Sequence, residues 1–125
     1  MFRLKVIDYF SAAHNLINYK GKCEELHGHN WKIEIIVEGK KLDKAGMLID
    51  FKILKKFLKE ILEVLDHKYL NELDFFKDKS PSSENIAKFI YENMNDKLND
   101  FNIKLAEVRC WESINSCAIY TGEED

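Results

Sequence analysis

Proline occurs once and glycine five times in 125 residues, so the chain has little of the punctuation that marks linkers and long irregular loops. Repeats and low-complexity tracts are also absent, and a single continuous domain over residues 1–125 is expected. Cysteine is scarce and odd in number. Cys23, Cys110 and Cys117 cannot all pair, and a chain of this length builds a core without disulfide staples. The opening stretch, MFRLKVIDYF, has neither the continuous apolar run nor the cleavage site of a secretory signal. Together these features point to a reduced, cytoplasmic protein. No segment approaches the roughly 18 to 20 apolar residues that a membrane-spanning helix needs. Nor does one sign of charge dominate. Lys and Arg total 19 against 22 Asp and Glu, with a net charge of −3 and a pI near 5.8, which argues against nucleic acid as the main partner.

What the chain does have is clear hydrophobic periodicity. Residues 2–10 carry apolar side chains on both faces and read as a largely buried strand ending near SAAH. In NWKIEIIVEG, Trp31, Ile33, Ile35 and Val37 share one face while Lys32, Glu34 and Glu38 share the other, the period of two of a half-exposed strand. IDFKILKKFLKEILEVL repeats apolar residues at Phe51, Leu54, Leu58, Ile61, Leu62 and Leu65, with Asp50 placed to cap a helix. A second helix is expected after SPSSEN, capped by Ser82, with Glu84 in its first turn and a stripe of Ile86, Phe89, Ile90, Met94 and Leu98. IKLAEVRCWES and SCAIYTG read as two further strands around a turn at Ile114 and Asn115. Strands in consecutive pairs favour antiparallel hairpins, so the order ββααββ predicts an α+β fold with helices on one face of an antiparallel sheet.

The stretch CEELHGH, Cys23 to His29, concentrates the chemistry. On a strand, His27 and His29 point to the same side, and His14 comes alongside if the first two strands form an antiparallel hairpin. Three imidazoles then suit Zn²⁺ and leave a fourth position open, the pattern of a catalytic site. Cys23 has two readings: a fourth, structural ligand, or an unbound thiolate beside the ion acting as a base. His67 follows Asp66 at the end of the first helix, where a histidine commonly meets the helix dipole. Glu112 falls in a row with Ala106, Val108 and Cys110, a carboxylate in an apolar row that needs either a ligand or water. Cys110 and Cys117 are expected to be small buried hydrophobes.

These segments resemble the 6-pyruvoyl-tetrahydropterin and 6-carboxytetrahydropterin synthase family over nearly the whole chain. The resemblance rests on FSAAH, CEELHGHNW, GMLIDF, LDHKYLN, PSSEN and WES, in that order and spacing. It implies the tunnelling fold, in which ββααββ subunits join into trimers and hexamers around a pore. It also implies a zinc-dependent lyase acting on 7,8-dihydroneopterin triphosphate. By resemblance, His14, His27 and His29 hold the zinc and Cys23 is the general base. Asp66 and His67 form its relay partner, contributed by a neighbouring subunit of the homo-oligomer. Glu112 anchors the pterin through its N–H edge, and Ser82 and Ser83 line the pterin pocket, with serine standing where threonine is frequent.

Three residues separate Cys23 from His27. This spacing resembles the branch that forms 6-carboxy-5,6,7,8-tetrahydropterin with release of acetaldehyde and triphosphate, on the route to queuosine. The alternatives are the pyruvoyl product and side-chain cleavage to a hydroxymethylpterin, to which Glu24 or Glu25 would contribute. A non-catalytic domain with a closed Cys-His₃ zinc site is the reading from another class, and it leaves Asp66, His67 and Glu112 without employment.

Overall fold

A computed structural model describes residues 1–17, 19–20 and 25–122. Four antiparallel strands, β1 (Phe2–His14), β2 (His27–Gly39), β3 (Lys104–Ser113) and β4 (Ser116–Tyr120), lie side by side in chain order. Between β2 and β3 come helix α1 (Phe51–Leu65), two short 3₁₀ turns at Leu70–Glu72 and Asp74–Phe76, and helix α2 (Ser83–Lys97). The arrangement is the α+β order read from the periodicity, and both expected caps are present. Asp50 accepts from the Lys52 N–H at 2.8 Å and Ser82 accepts from the Asn85 N–H at 3.2 Å, each satisfying a donor that the helix itself cannot.

One face of the sheet meets the helices. Val6, Phe10 and Ala12 of β1 and Trp31, Ile33, Ile35 and Val37 of β2 are buried with Leu54, Leu58, Ile61, Leu62 and Leu65 of α1 and Ile86, Ile90 and Met94 of α2. Each Val, Leu, Ile, Phe or Met among them contributes about 1.5–3 kcal/mol when fully buried. The period of two in β2 and the period of 3.6 in α1 therefore meet in one core.

Several expectations change in detail. Phe51 is 48% exposed, because the first turn of α1 sits at the rim of the core beside Phe2, Leu42 and Met47. Phe89 is half-buried and packs on Phe75 and Phe76 against the margin of the core. β1 is only half-covered, with Ile7 and Tyr9 exposed on the helix-free face and Phe2 exposed at the rim beside Phe51. It continues through SAAH in register with β2, and the chain after α1 lies against its outer edge there. The Ala13 N–H donates to the Lys68 carbonyl at 3.0 Å and the His67 N–H to the Ser11 carbonyl at 2.6 Å.

In β3 the pairing steps from Glu107 opposite Ile36 to Leu105 opposite Val37, so Ala106 is the extra residue of a bulge. Leu105, rather than Ala106, shares the buried row with Val108 and Cys110. Cys110 is fully buried as expected, and burial pushes its thiol pKa up. Cys117, opposite Trp111, is only half-buried.

Candidate active site

The hairpin register brings the histidines together. His14 pairs directly with His27, and Ala12 pairs with His29, so all three imidazoles stand on the helix side of the β1–β2 end. Their ring centroids are 4.4 to 5.2 Å apart, and the fully buried Trp31 packs edge-on beneath His14 and His29. His14 Nδ1 lies 2.7 Å from the Pro81 carbonyl and His27 Nδ1 lies 3.0 Å from the Glu25 carbonyl. A carbonyl only accepts, so each Nδ1 carries a proton, which leaves Nε2 as the atom of each ring that can face inward as a ligand. Those two Nε2 atoms are 2.9 Å apart. Two lone pairs at that separation repel unless a proton or a cation lies between them. Backbone carbonyls orienting imidazole ligands from behind are the usual second layer of a metal centre, and the donor set fits a divalent ion such as zinc.

Glu112, near the end of β3, completes the group. One ligand atom from each of His14, His27, His29 and Glu112 lies within 4.8 Å of all the others. Glu112 Oε1 is 3.6 Å from His29 Nε2, and Oε2 accepts a 3.1 Å hydrogen bond from the Ser83 hydroxyl. The carboxylate is 39% exposed and borders an open pocket of about 350 Å³ lined also by Ser83, Glu84, Ser116, Cys117 and Ile119. The two serines are thus separated in role. Ser82 spends its oxygen on the helix cap, while Ser83 holds Glu112.

Asp66 and His67 lie across the outer edge of β1. Asp66 Oδ1 accepts from the Ser11 N–H at 2.9 Å, and Oδ2 is 3.0 Å from His67 Nδ1. The Ser11 N–H first, and then the His67 ring, hold the Asp66 carboxyl below its usual pKa. His67 adopts a left-handed backbone conformation, φ 57°, unusual for a residue with a side chain, and its ring is 81% exposed. An open depression of about 570 Å³ runs from His67 and Tyr69 over Ser11 and Ala13 to Gly28 and Asn30. Cys23, with Glu24, falls outside the described residues.

Sequence reasoning missed the residues that hold the site from behind. Pro81 and Glu25 act through backbone carbonyls, which leave no side-chain signature. Asn15 is held by the Tyr69 hydroxyl at 2.6 Å and by the Asn71 amide on its carbonyl at 2.8 Å, fixing the chain as it leaves His14. Their signal was proximity alone: Asn15 adjoins His14, while Tyr69 and Asn71 lie within LDHKYLN.

An antiparallel sheet backed by two helices, with three histidines and a glutamate converging at one end, defines an α+β protein with a candidate metal centre. The chain matches the family described as 6-pyruvoyl tetrahydropterin synthase over residues 3–123. It is 34% identical to the 6-pyruvoyl tetrahydrobiopterin synthase of Dictyostelium discoideum, across 93% of both chains. It is 39% identical to a putative 6-carboxy-5,6,7,8-tetrahydropterin synthase of Archaeoglobus fulgidus, across 78% of this chain and 81% of that one. Among solved structures, the Caenorhabditis elegans 6-pyruvoyl tetrahydropterin synthase superposes with a TM-score of 0.83 at 26% identity, covering 98% of this chain and 96% of the other. The chain belongs to the 6-pyruvoyl tetrahydropterin synthase family, a family of enzymes.

Proposed function

We propose that the protein is a zinc-dependent lyase converting 7,8-dihydroneopterin triphosphate to 6-carboxy-5,6,7,8-tetrahydropterin, with release of acetaldehyde and triphosphate, on a route to queuosine. The observation that carries the metal and the enzyme reading is the meeting of His14 and His27 Nε2 at 2.9 Å, each ring held in the ligand tautomer from behind. His14, His27 and His29 would hold the ion. Bound zinc supplies Lewis acidity toward the hydroxyls of the substrate side chain.

The remaining work belongs to the chain's own groups. Glu112 has the geometry of a bidentate acceptor for the N–H edge of a pterin, and Ser83 keeps it oriented. Cys23 takes a proton from the substrate side chain as general base. With Asp66 on its Nδ1, His67 presents Nε2 as the proton-accepting atom of the relay. Oligomers with sites between subunits place this exposed His67 against a neighbour's Cys23. A reducing, cytoplasmic setting accords with a functional thiol.

The carboxy product rests on the short spacing between Cys23 and His27. A second reading, the pyruvoyl product, draws on the Dictyostelium relative, which is named for that activity and is 34% identical over nearly the whole chain. Mass spectrometry of the products formed from dihydroneopterin triphosphate decides between them. Acetaldehyde with a 6-carboxypterin is expected. A pyruvoyl pterin without acetaldehyde would establish the second reading, and a hydroxymethylpterin would assign side-chain cleavage to Glu24 or Glu25. No turnover with tightly held zinc would leave a structural zinc domain.

A further inference from the structure

We infer that Glu112 is itself a ligand of the bound ion in the substrate-free protein, as well as the acceptor for the pterin, and that it serves one role at a time. The inference rests on the proposed metal centre. Its basis is position: Glu112 Oε1 is 3.6 Å from His29 Nε2, and one of its oxygens lies within 4.8 Å of the ligand atoms of all three histidines. Ligands of one four-coordinate zinc, each about 2.0–2.2 Å from the ion, stand roughly 3.3–3.6 Å apart. A carboxylate already at 3.6 Å from one imidazole nitrogen therefore reaches a shared ion through a small side-chain adjustment.

Charge and tether support the same assignment. Three neutral imidazoles leave the full double positive charge uncompensated, and a carboxylate is the anionic donor that this cluster contains. The Ser83 hydroxyl holds Oε2, so Oε1 is the oxygen presented to the histidines. The same carboxylate also borders the open pocket beside Ser116 and Ile119. A pterin edge donating to both oxygens competes with the ion for the carboxylate's charge and position, so pterin binding draws Glu112 off the metal and opens a coordination position when substrate is present.

The test uses the full chain stripped of metal by a chelator and reloaded with Co²⁺, whose visible absorption reports its ligands. Glu112→Gln should weaken Co²⁺ affinity by roughly 10- to 100-fold and alter the ligand-field spectrum. Adding a side-chain-free pterin to the wild-type Co²⁺ protein should move its spectrum toward that of the variant. His27→Ala, titrated in parallel, separates the two claims. Loss of affinity in His27→Ala with an unchanged Glu112→Gln overturns this inference and leaves the histidine centre standing, while full affinity in His27→Ala removes the centre itself. Should metal-free Glu112→Gln fail to fold, Ser83→Ala carries the test: release of Oε2 should shift the cobalt spectrum, and an unshifted spectrum contradicts the assignment.

Discussion

Adjacent serines at the start of α2 show how far apart two identical side chains can be in function. Ser82 Oγ accepts from the Asn85 N–H and Ser83 Oγ donates to Glu112. Ser82→Ala should cost about 1 kcal/mol of stability in urea unfolding, the usual loss for an N-cap, with KM for the pterin substrate nearly unchanged. Ser83→Ala should leave stability within about 0.5 kcal/mol and raise KM, which steady-state kinetics would register. Glu34, on the helix-free face, is 3% exposed. Burial alone would raise its pKa, but the Trp111 indole N–H and the Lys5 ammonium outweigh burial and hold it below the ordinary 4.5. A lowered folded-state pKa means that the stabilisation is complete above the unfolded-state value and drains away as pH falls through the folded one. Wild type should therefore exceed Glu34→Gln in thermal unfolding at pH 7, and the gap should narrow as pH drops below 4.5. A gap that widens in acid would show that the carboxylate's partners do not favour its charged form.

At the scale of elements, legibility followed the strength of the local pattern. The α1 stripe read correctly wherever the helix lies over the sheet and failed at Phe51, where the first turn overhangs the rim. Leu54→Ala should accordingly cost about 2–5 kcal/mol and Phe51→Ala under about 1.5 kcal/mol, since a half-exposed ring leaves a wet gap rather than a cavity. Equal losses by chemical denaturation would contradict the placement of α1. The histidine cluster was legible because the period of two and a hairpin register suffice to superpose positions 14, 27 and 29. The bulge at Ala106 was not, because Ala106 is itself small and apolar and falls in the same alternating row as Val108 and Cys110, so the inserted residue leaves no compositional mark. The covering of the outer edge of β1 by residues 66–69, more than fifty positions away in sequence, was not legible either, because period alone carries no such information. The backbone carbonyls of Pro81 and Glu25 are invisible to sequence for the same reason.

The whole molecule has two kinds of sheet edge. The outer edge of β1 is covered from Ser11 onward by the chain after α1, while β4 forms the opposite end of the sheet. Uncovered edges favour pairing with another copy, and closed rings remove them. If Cys23 of one subunit works with Asp66 and His67 of the next, then Cys23→Ala and His67→Ala, each inactive alone, should recover part of the activity when unfolded together and refolded as mixed oligomers. Mixing without recovery would place the whole site within one subunit. The histidine centre underlies the proposed chemistry, and metal content tests it most directly. Purified wild type and Cys23→Ala should each carry one zinc per chain by elemental analysis, while His27→Ala and His29→Ala should carry almost none. Zinc lost from Cys23→Ala as completely as from His29→Ala would make Cys23 a ligand and the site a closed structural one.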